Sequence, residues 1–98
     1  MLNSKQRAKL RSLVSKLEPT LIIGKDGLTE TVLIQLDKEL TARELIKVSV
    51  LESSEMDAKE CLHKASIKLG AEEVNSIGRK FSIYRFSTKK GVKHIDLN

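Results

Sequence analysis

The sequence predicts an α/β fold: a two-layer domain in which helices pack against a mixed four-stranded sheet, in the order α-β-α-β-α-β-β. Three segments carry apolar residues at helical spacing, and a short β-prone run follows each of them. A Gly-containing turn then leads into a fourth run. Strands connected through helices favour parallel pairing with right-handed crossovers, whereas a short turn favours an antiparallel hairpin. We expect residues 1–98 to form a single domain, with a core at about 4–86 and a basic C-terminal extension at 87–98.

Three segments have the periodicity of amphipathic helices. Their predicted bounds are about residues 5–17, 30–42 and 56–69. Asn3 or Ser4 can cap the first helix, and Thr29 can cap the second. Ser54, with Asp57 three residues later, resembles a capping box for the third helix.

Four short runs rich in Ile, Val, Leu or Phe predict strands. Their bounds are about residues 20–23, 45–51, 73–77 and 81–86. In the second run, Ile46, Val48 and Val50 alternate with Lys47 and Ser49, as expected for a strand with one buried face. Only three residues of the chain are aromatic, so aliphatic side chains must form most of the core.

The net charge of +5 is distributed unevenly along the chain. Residues 1–27 carry six Lys or Arg against two acids, residues 28–73 carry six against ten, and residues 74–98 carry six against one. If the fold brings the two basic ends to one face, that face attracts polyanions. The alternative is that the charge serves solubility alone, and composition does not separate the two.

The segment Gly24-Lys25-Asp26-Gly27, between a predicted strand and a predicted helix, is the strongest candidate for a binding site. Glycines let a ligand approach the backbone closely, the following helix offers free N–H groups, and Lys25 adds a mobile cation. A nucleic-acid phosphate suits such a loop. Asp26 counts against this interpretation because a carboxylate repels phosphate, and the alternative is a plain turn. The residues that a nucleotide P-loop or a dinucleotide fingerprint requires are missing.

Further candidate contacts flank the loop in sequence. They are Lys5, Arg7, Lys9 and Arg11 in the first helix, and Arg79, Lys80, Tyr84 and Arg85 around the final hairpin. Arg and Lys would contact phosphates, and a tyrosine on a strand edge could stack on a base. The alternative for Tyr84 is a place in the core. Lys89, Lys90 and Lys93 either follow an RNA backbone or belong to a solvated terminus.

No pattern of catalytic or metal-binding residues is found. Cys61 lies on the apolar stripe of the third helix and is expected in the core, and His63 and His94 are too distant to suggest a metal site. Asp26 is the one candidate base near the loop. We therefore expect no enzyme, no metal and no cofactor. With no signal-peptide pattern and no apolar run of membrane-spanning length, we expect a cytoplasmic protein that does not contact membranes.

Several motifs occur together in a characteristic order. They are Lys5-Gln6, Leu17-Glu18-Pro19, Ile23-Gly24-Lys25-Asp26-Gly27-Leu28-Thr29, Glu44-Leu45-Ile46-Lys47-Val48, Ile77-Gly78-Arg79 and Tyr84-Arg85. With these motifs, residues 4–86 resemble the CRM domain family (chloroplast RNA splicing and ribosome maturation), specifically its small bacterial members, the YhbY-like proteins. The resemblance implies a fold similar to the C-terminal domain of bacterial translation initiation factor three. It also implies RNA binding through the loop at 24–27 and the neighbouring basic surface, and association with precursors of the large ribosomal subunit.

We therefore expect a monomeric RNA-binding protein that acts in ribosome assembly on rRNA of the precursor large subunit, without a small-molecule substrate. One alternative stays open at this point. The chain could be a protein-interaction module whose acidic middle docks a basic ribosomal protein, with RNA binding incidental.

Overall fold

The computed structural model describes residues 2–97, so Met1 and Asn98, the two ends of the expected 1–98 domain, lie outside the described residues. Its elements are α1 (Ser4–Val14), β1 (Leu21–Ile23), α2 (Glu30–Arg43), β2 (Leu45–Val50), α3 (Ala58–Leu69), β3 (Glu72–Ile77) and β4 (Lys80–Tyr84). The predicted order of helices and strands is confirmed. None of these helices is long and apolar enough to cross a membrane.

The four strands form one mixed sheet in the order β1-β2-β4-β3. β1 runs parallel to β2, with Ile23 opposite Val50, and β4 is antiparallel to both of its neighbours. The pairing follows from the connections, because α2 carries the chain from β1 to a parallel neighbour while a tight turn at Gly78 joins β3 to β4. The expected α/β class with a mixed four-stranded sheet is confirmed.

Helices cover both faces of the sheet, in contrast to the two-layer arrangement that the sequence predicts. One core cluster contains Leu36 of α2, Cys61 of α3 and Phe81 of β4. A second cluster contains Leu10 of α1 and Tyr84 of β4. Because successive side chains of a strand point to opposite faces, α2 and α3 lie on one face and α1 lies on the other. The domain therefore has three layers: α2 and α3 on one face, the sheet in the middle, and α1 on the other face.

Each helix begins at a side-chain cap. Asn3 caps α1 and Thr29 caps α2, as predicted. The capping box predicted at Ser54 is wrong, because Asp57 Oδ1 caps α3 and accepts a hydrogen bond from the N–H of Glu60 at 2.8 Å. The short aspartate side chain reaches an N–H three residues ahead, so α3 begins directly after Asp57.

The C-terminal extension, residues 87–97, folds back onto the junction between α2 and β2. Glu44 lies at that junction with φ 67° and is fully buried. Its carboxylate accepts hydrogen bonds from the N–H groups of Ser87 at 2.7 Å and Ile95 at 2.8 Å, and lies 2.7 Å from Nδ1 of His94. Burial by itself would raise the pKa of Glu44, but these hydrogen bonds and the charge of His94 outweigh burial, and the pKa is lowered. A buried carboxylate thus anchors the extension, which is not a loose terminus.

Candidate nucleic-acid interface

Three connecting segments meet at the edge of the sheet where β1 and β2 both end. They are the GKDG loop (residues 24–27), the acidic loop (residues 51–57) and the hairpin turn (residues 78–79). The N–H of Leu51 donates to the carbonyl of Ile23 at 2.9 Å, and the N–H of Val50 donates to the carbonyl of Arg79 at 2.7 Å. Since neighbouring strands are about 4.8 Å apart, the GKDG loop and the hairpin turn emerge about 10 Å apart.

The GKDG loop is a tight turn in which the two glycines have different roles. The N–H of Gly27 donates to the carbonyl of Gly24 at 3.1 Å, and Gly27 has φ +70°, a conformation that favours glycine. Gly27 is buried next to Met56 and its N–H is already bonded, so the structure contradicts the predicted RNA contact at this residue. Gly24 is half-buried, and Lys25 and Asp26 are exposed at the tip. The loop therefore offers its first three residues to a ligand.

The acidic loop lies between the GKDG loop and the hairpin turn. The N–H of Glu55 donates to the carbonyl of Lys25 at 3.4 Å, and Oε2 of Glu52 lies 3.1 Å from Nη1 of Arg79. Both side chains of that ion pair are largely exposed, at 59% for Arg79 and 80% for Glu52. An exposed pair contributes little and exchanges partners readily, so a phosphate can displace Glu52 from Arg79.

A groove of about 590 Å³ opens on the face of the sheet that carries α1. The cations that line this basic groove are Arg11 of α1, Lys47 of β2, Arg79 of the hairpin turn and Lys80 of β4. Nζ of Lys47 also donates to the carbonyls of Val14 and Leu17, at 3.4 and 3.2 Å, and so fixes the C-terminal end of α1 to the sheet. Four cations on one concave surface repel one another, which favours the binding of a polyanion.

Lys47 was not among the predicted contacts, although the sequence held the information to find it. Its alternation with Ile46 and Val48 places it on the face of β2 opposite the main core. The sequence did not reveal that α1 leaves this end of the face open. Ile77, on the same face, is 73% exposed.

The four predicted cations of α1 divide between its two flanks. Arg11 lines the basic groove, whereas Nη1 of Arg7 donates to the backbone carbonyl of Glu73 in β3. At about 100° per residue, Lys5 and Lys9 lie on the opposite flank from Arg7 and Arg11. The structure therefore brings Arg11 to the candidate interface and leaves Lys5 and Lys9 outside it.

Tyr84 and Arg85, two further predicted contacts, are committed within the protein. Tyr84 is 6% exposed in the cluster beneath α1, where burial and the charge of Glu44 raise its pKa. Nη1 of Arg85 donates to Oδ1 of Asp37 at 2.8 Å and to the carbonyl of Leu69 at 2.9 Å, which ties the end of β4 to α2 and α3. Base stacking by Tyr84 is thus contradicted by its burial, and phosphate contact by Arg85 is contradicted by its internal partners.

The cations of the two termini do not all converge beside the GKDG loop. The C-terminal extension packs where α2 ends, whereas the GKDG loop precedes the start of α2. The 14 residues of α2 separate these two places by about 21 Å. Lys89, Lys90 and Lys93 therefore lie away from the GKDG loop, and the condition that both basic ends of the chain meet at one face is not met beside that loop.

Cysteine and histidine side chains often serve in catalysis or metal binding, but the surroundings of Cys61 and His63 do not indicate such a role. Cys61 is fully buried, as predicted, and burial together with the charges of Asp57 and Glu60 raises its pKa to about 11. A thiol with this pKa is a poor nucleophile near neutral pH. Nδ1 of His63 lies 2.9 Å from Oε2 of Glu73. Within the described part of the chain, no group of three or more His, Cys, Asp or Glu is placed to hold a metal ion.

Comparison with known proteins gives one consistent family. The family model of the CRS1 / YhbY (CRM) domain matches residues 2–85. The chain is 35% identical over 97 residues to "Probable RNA-binding protein YqeI" of Bacillus subtilis (strain 168), covering 99% of both chains. It is 33% identical over 88 residues to "Probable RNA-binding protein PA4753" of Pseudomonas aeruginosa, covering 90% of this chain and 85% of that protein. The solution structure of the hypothetical protein SAV1595 from Staphylococcus aureus matches with a TM-score of 0.77 at 41% identity, covering 92% of this chain and 94% of that one. The chain therefore belongs to the CRS1/YhbY (CRM) domain family.

Proposed function

We propose that this chain is an RNA-binding protein that holds RNA along the basic groove and at the exposed tip of the GKDG loop. The observation that carries the proposal is the groove itself, in which Arg11, Lys47, Arg79 and Lys80 come together from three separate segments of the chain. Lys25 adds an exposed cation at the loop tip, on the other side of the acidic loop. The names of the relatives that match most of the chain support RNA as the polyanion.

Binding on this surface is dominated by phosphate contacts. The basic groove offers side-chain cations on an open sheet face, and the exposed Ile77 beside them gives apolar surface for a ribose or a base. Cations of this kind fix the register of an RNA backbone and carry little sequence information. Selectivity then depends on the shape of a folded RNA, which suits a factor that recognises one stage of an assembling particle.

The RNA of this proposal is rRNA in precursors of the large ribosomal subunit, as the resemblance to the bacterial YhbY-like proteins implies. The chain acts there as a monomeric assembly factor in the cytoplasm, without chemical turnover. Crosslinking the chain to its RNA in cells and sequencing that RNA tests which RNA is bound. Enrichment of large-subunit rRNA supports the proposal, and enrichment of messenger RNA or small-subunit rRNA alone contradicts it.

RNA binding itself is tested by titrating the chain into labelled structured RNA at several salt concentrations. If the five cations of the groove and loop tip contact phosphates, the slope of log affinity against log salt is about −4. Arg11→Gln and Lys80→Gln each reduce that slope by about 1. Lys38→Gln, an exposed change on α2, is the matched control. A flat salt dependence would sink the proposal.

A second candidate, a protein-interaction module, has one observation in its favour. Four acids are exposed around the acidic loop and the start of α3: Glu52, Glu55, Asp57 and Glu60. Such a surface suits a basic ribosomal protein. Nuclease treatment of a cell lysate before fractionation separates the two candidates, because only a protein-docked chain stays on its partner after the RNA is destroyed.

A further inference from the structure

The C-terminal extension presents an aromatic stack to solvent. The rings of Phe86 and His94 have centroids 4.4 Å apart and planes inclined by 15°. Phe86 is 57% exposed, and the side chain of His94 is 47% exposed. In a chain with only three aromatic residues, the other two, Phe81 and Tyr84, are buried. The stack thus exposes aromatic surface that the core does not use.

The stack closes a short loop that carries three lysines. Residues 87–93 lie between the two rings, and Lys89, Lys90 and Lys93 are all exposed. With its ends joined, a loop of seven residues reaches no further than about 14 Å from the stack. The three lysines therefore lie on the same part of the surface as the stack.

Two cations from other elements adjoin the C-terminal extension next to His94. Lys16, which follows α1, and Arg43 of α2 line a pocket of about 340 Å³ together with Ile95, the residue after His94. The side chain of Arg43 remains 59% exposed, although its Nε lies 3.2 Å from Glu39. Lys16 and Arg43 thus add positive charge beside the C-terminal extension.

The stack is fixed in position by the buried Glu44. Its carboxylate accepts from the N–H of Ser87, next to Phe86, and from the N–H of Ile95, next to His94. Both residues that flank the rings are therefore bonded to one buried group. A surface held in this way loses little conformational entropy when a ligand binds.

We infer that the Phe86–His94 stack, with Lys89, Lys90 and Lys93, binds a base and its flanking phosphates in a single-stranded segment of RNA. An aromatic ring beside a cationic groove is the arrangement that binds single strands with little sequence preference. A duplex does not offer an unstacked base, so this C-terminal platform selects single-stranded RNA. The inference rests on the proposed function and extends it, because it adds a second contact about 20 Å from the GKDG loop.

The chain contains no tryptophan, so Phe86→Trp places a single tryptophan at the platform, which can be excited selectively in the presence of Tyr84. Phe86→Trp is titrated with a short, end-labelled oligoadenylate, and tryptophan fluorescence and label anisotropy are followed in parallel. We expect quenching that saturates together with the anisotropy. An abasic strand of the same length should bind through its phosphates without quenching the tryptophan.

Two further variants test the platform by RNA affinity alone. They keep the inference testable if Phe86→Trp fails to fold. Phe86→Leu keeps an apolar side chain and removes the flat ring, so affinity for oligoadenylate should fall by about fivefold to 100-fold. The triple change of Lys89, Lys90 and Lys93 to Gln should reduce the salt slope by about 2. Both should leave the circular dichroism spectrum unchanged.

The outcomes separate the inference from the proposed function. If oligoadenylate and structured RNA bind, but Phe86→Trp shows no quenching and Phe86→Leu binds normally, the inference is wrong while the proposed function stands. If Lys80→Gln weakens binding of structured RNA and Phe86→Leu weakens binding of oligoadenylate, both stand. If the unaltered chain binds no RNA at low salt, the proposed function fails and the inference fails with it.

Discussion

Nη1 of Arg79 lies 3.1 Å from Oε2 of Glu52, so the acidic loop already occupies a cation at the mouth of the basic groove. The same loop donates the N–H of Glu55 to the carbonyl of Lys25. It therefore touches both cationic parts of this edge of the sheet. Its carboxylates lower the positive potential at the place where a phosphate would bind, and changing them measures how strongly electrostatics control binding.

Replacing Glu52 with Gln should raise affinity for structured RNA about twofold to fivefold, because Arg79 is released from an exposed ion pair. Fluorescence anisotropy at low salt measures the change. The control is the same substitution in an Arg79→Gln background, where Glu52→Gln should have a much smaller effect. Equal gains in both backgrounds would show that Glu52 does not act through Arg79.

Reversing the charge at the tip of the GKDG loop should weaken RNA binding without unfolding the protein. Lys25 is exposed, so Lys25→Glu should lower affinity about fivefold or more at low salt through loss of a phosphate contact. Asp26→Asn should raise affinity because it removes a repulsive carboxylate. Lys38→Glu makes the same change in net charge on α2, and a loss as large as that of Lys25→Glu would contradict a specific role for the loop.

Substituting the two loop glycines should affect stability very differently. Gly27 has φ +70°, and an added Cβ would lie 3.3 Å from Sδ of Met56. Gly27→Ala should therefore lower the free energy of unfolding by about 1–2 kcal/mol. At Gly24 an added Cβ meets no atom within 4 Å, so Gly24→Ala should leave Tm nearly unchanged. Thermal unfolding measures both, and equal losses would show that the turn geometry is not what requires Gly27.

Removing the guanidinium of Arg85 should affect folding rather than RNA binding. Its two terminal nitrogens bond to Asp37, Thr41 and the carbonyl of Leu69. Arg85→Gln should lower the free energy of unfolding by about 2 kcal/mol, with RNA affinity of the folded protein unchanged. Lys80→Gln, in contrast, should lower RNA affinity and leave the free energy of unfolding nearly unchanged. A large loss of RNA affinity in fully folded Arg85→Gln would show that Arg85 contacts RNA after all.

Glu44→Gln should release the C-terminal extension and lower the free energy of unfolding by about 2–4 kcal/mol at neutral pH, because hydrogen bonds to an ionised acceptor are lost. Hydrogen exchange of the Ser87 and Ile95 amides should become faster. Because the folded pKa of Glu44 is lowered from 4.5, its contribution is complete above that value and disappears as the pH falls through the folded pKa. Denaturation with urea should therefore show the difference from the unaltered chain shrinking as the pH falls below 4.5. A constant difference would mean that Glu44 is protonated in the folded protein.

Local rules predicted the secondary structure well. Apolar spacing placed the three helices, and Asn3 and Thr29 marked the starts of two of them. These features depend on residues within a few positions of one another, which is why periodicity and capping propensity are sufficient. The start of α3 was missed because Ser54 and Asp57 both suit a cap, and only the observed backbone path selects Asp57.

The sequence by itself determined the order of elements, the mixed sheet, the buried Cys61 and the exposed tip of the GKDG loop. Only the tertiary structure decided which cations share a surface, because that depends on contacts between distant segments. The sequence suggested a phosphate contact for Arg85, but in the structure its partner is Asp37, 48 residues away. The sequence also left open a solvated terminus for the extension, but in the structure the buried Glu44 anchors it. A charge can be counted along the chain, but its partner is fixed only when the fold brings the two groups within hydrogen-bonding distance.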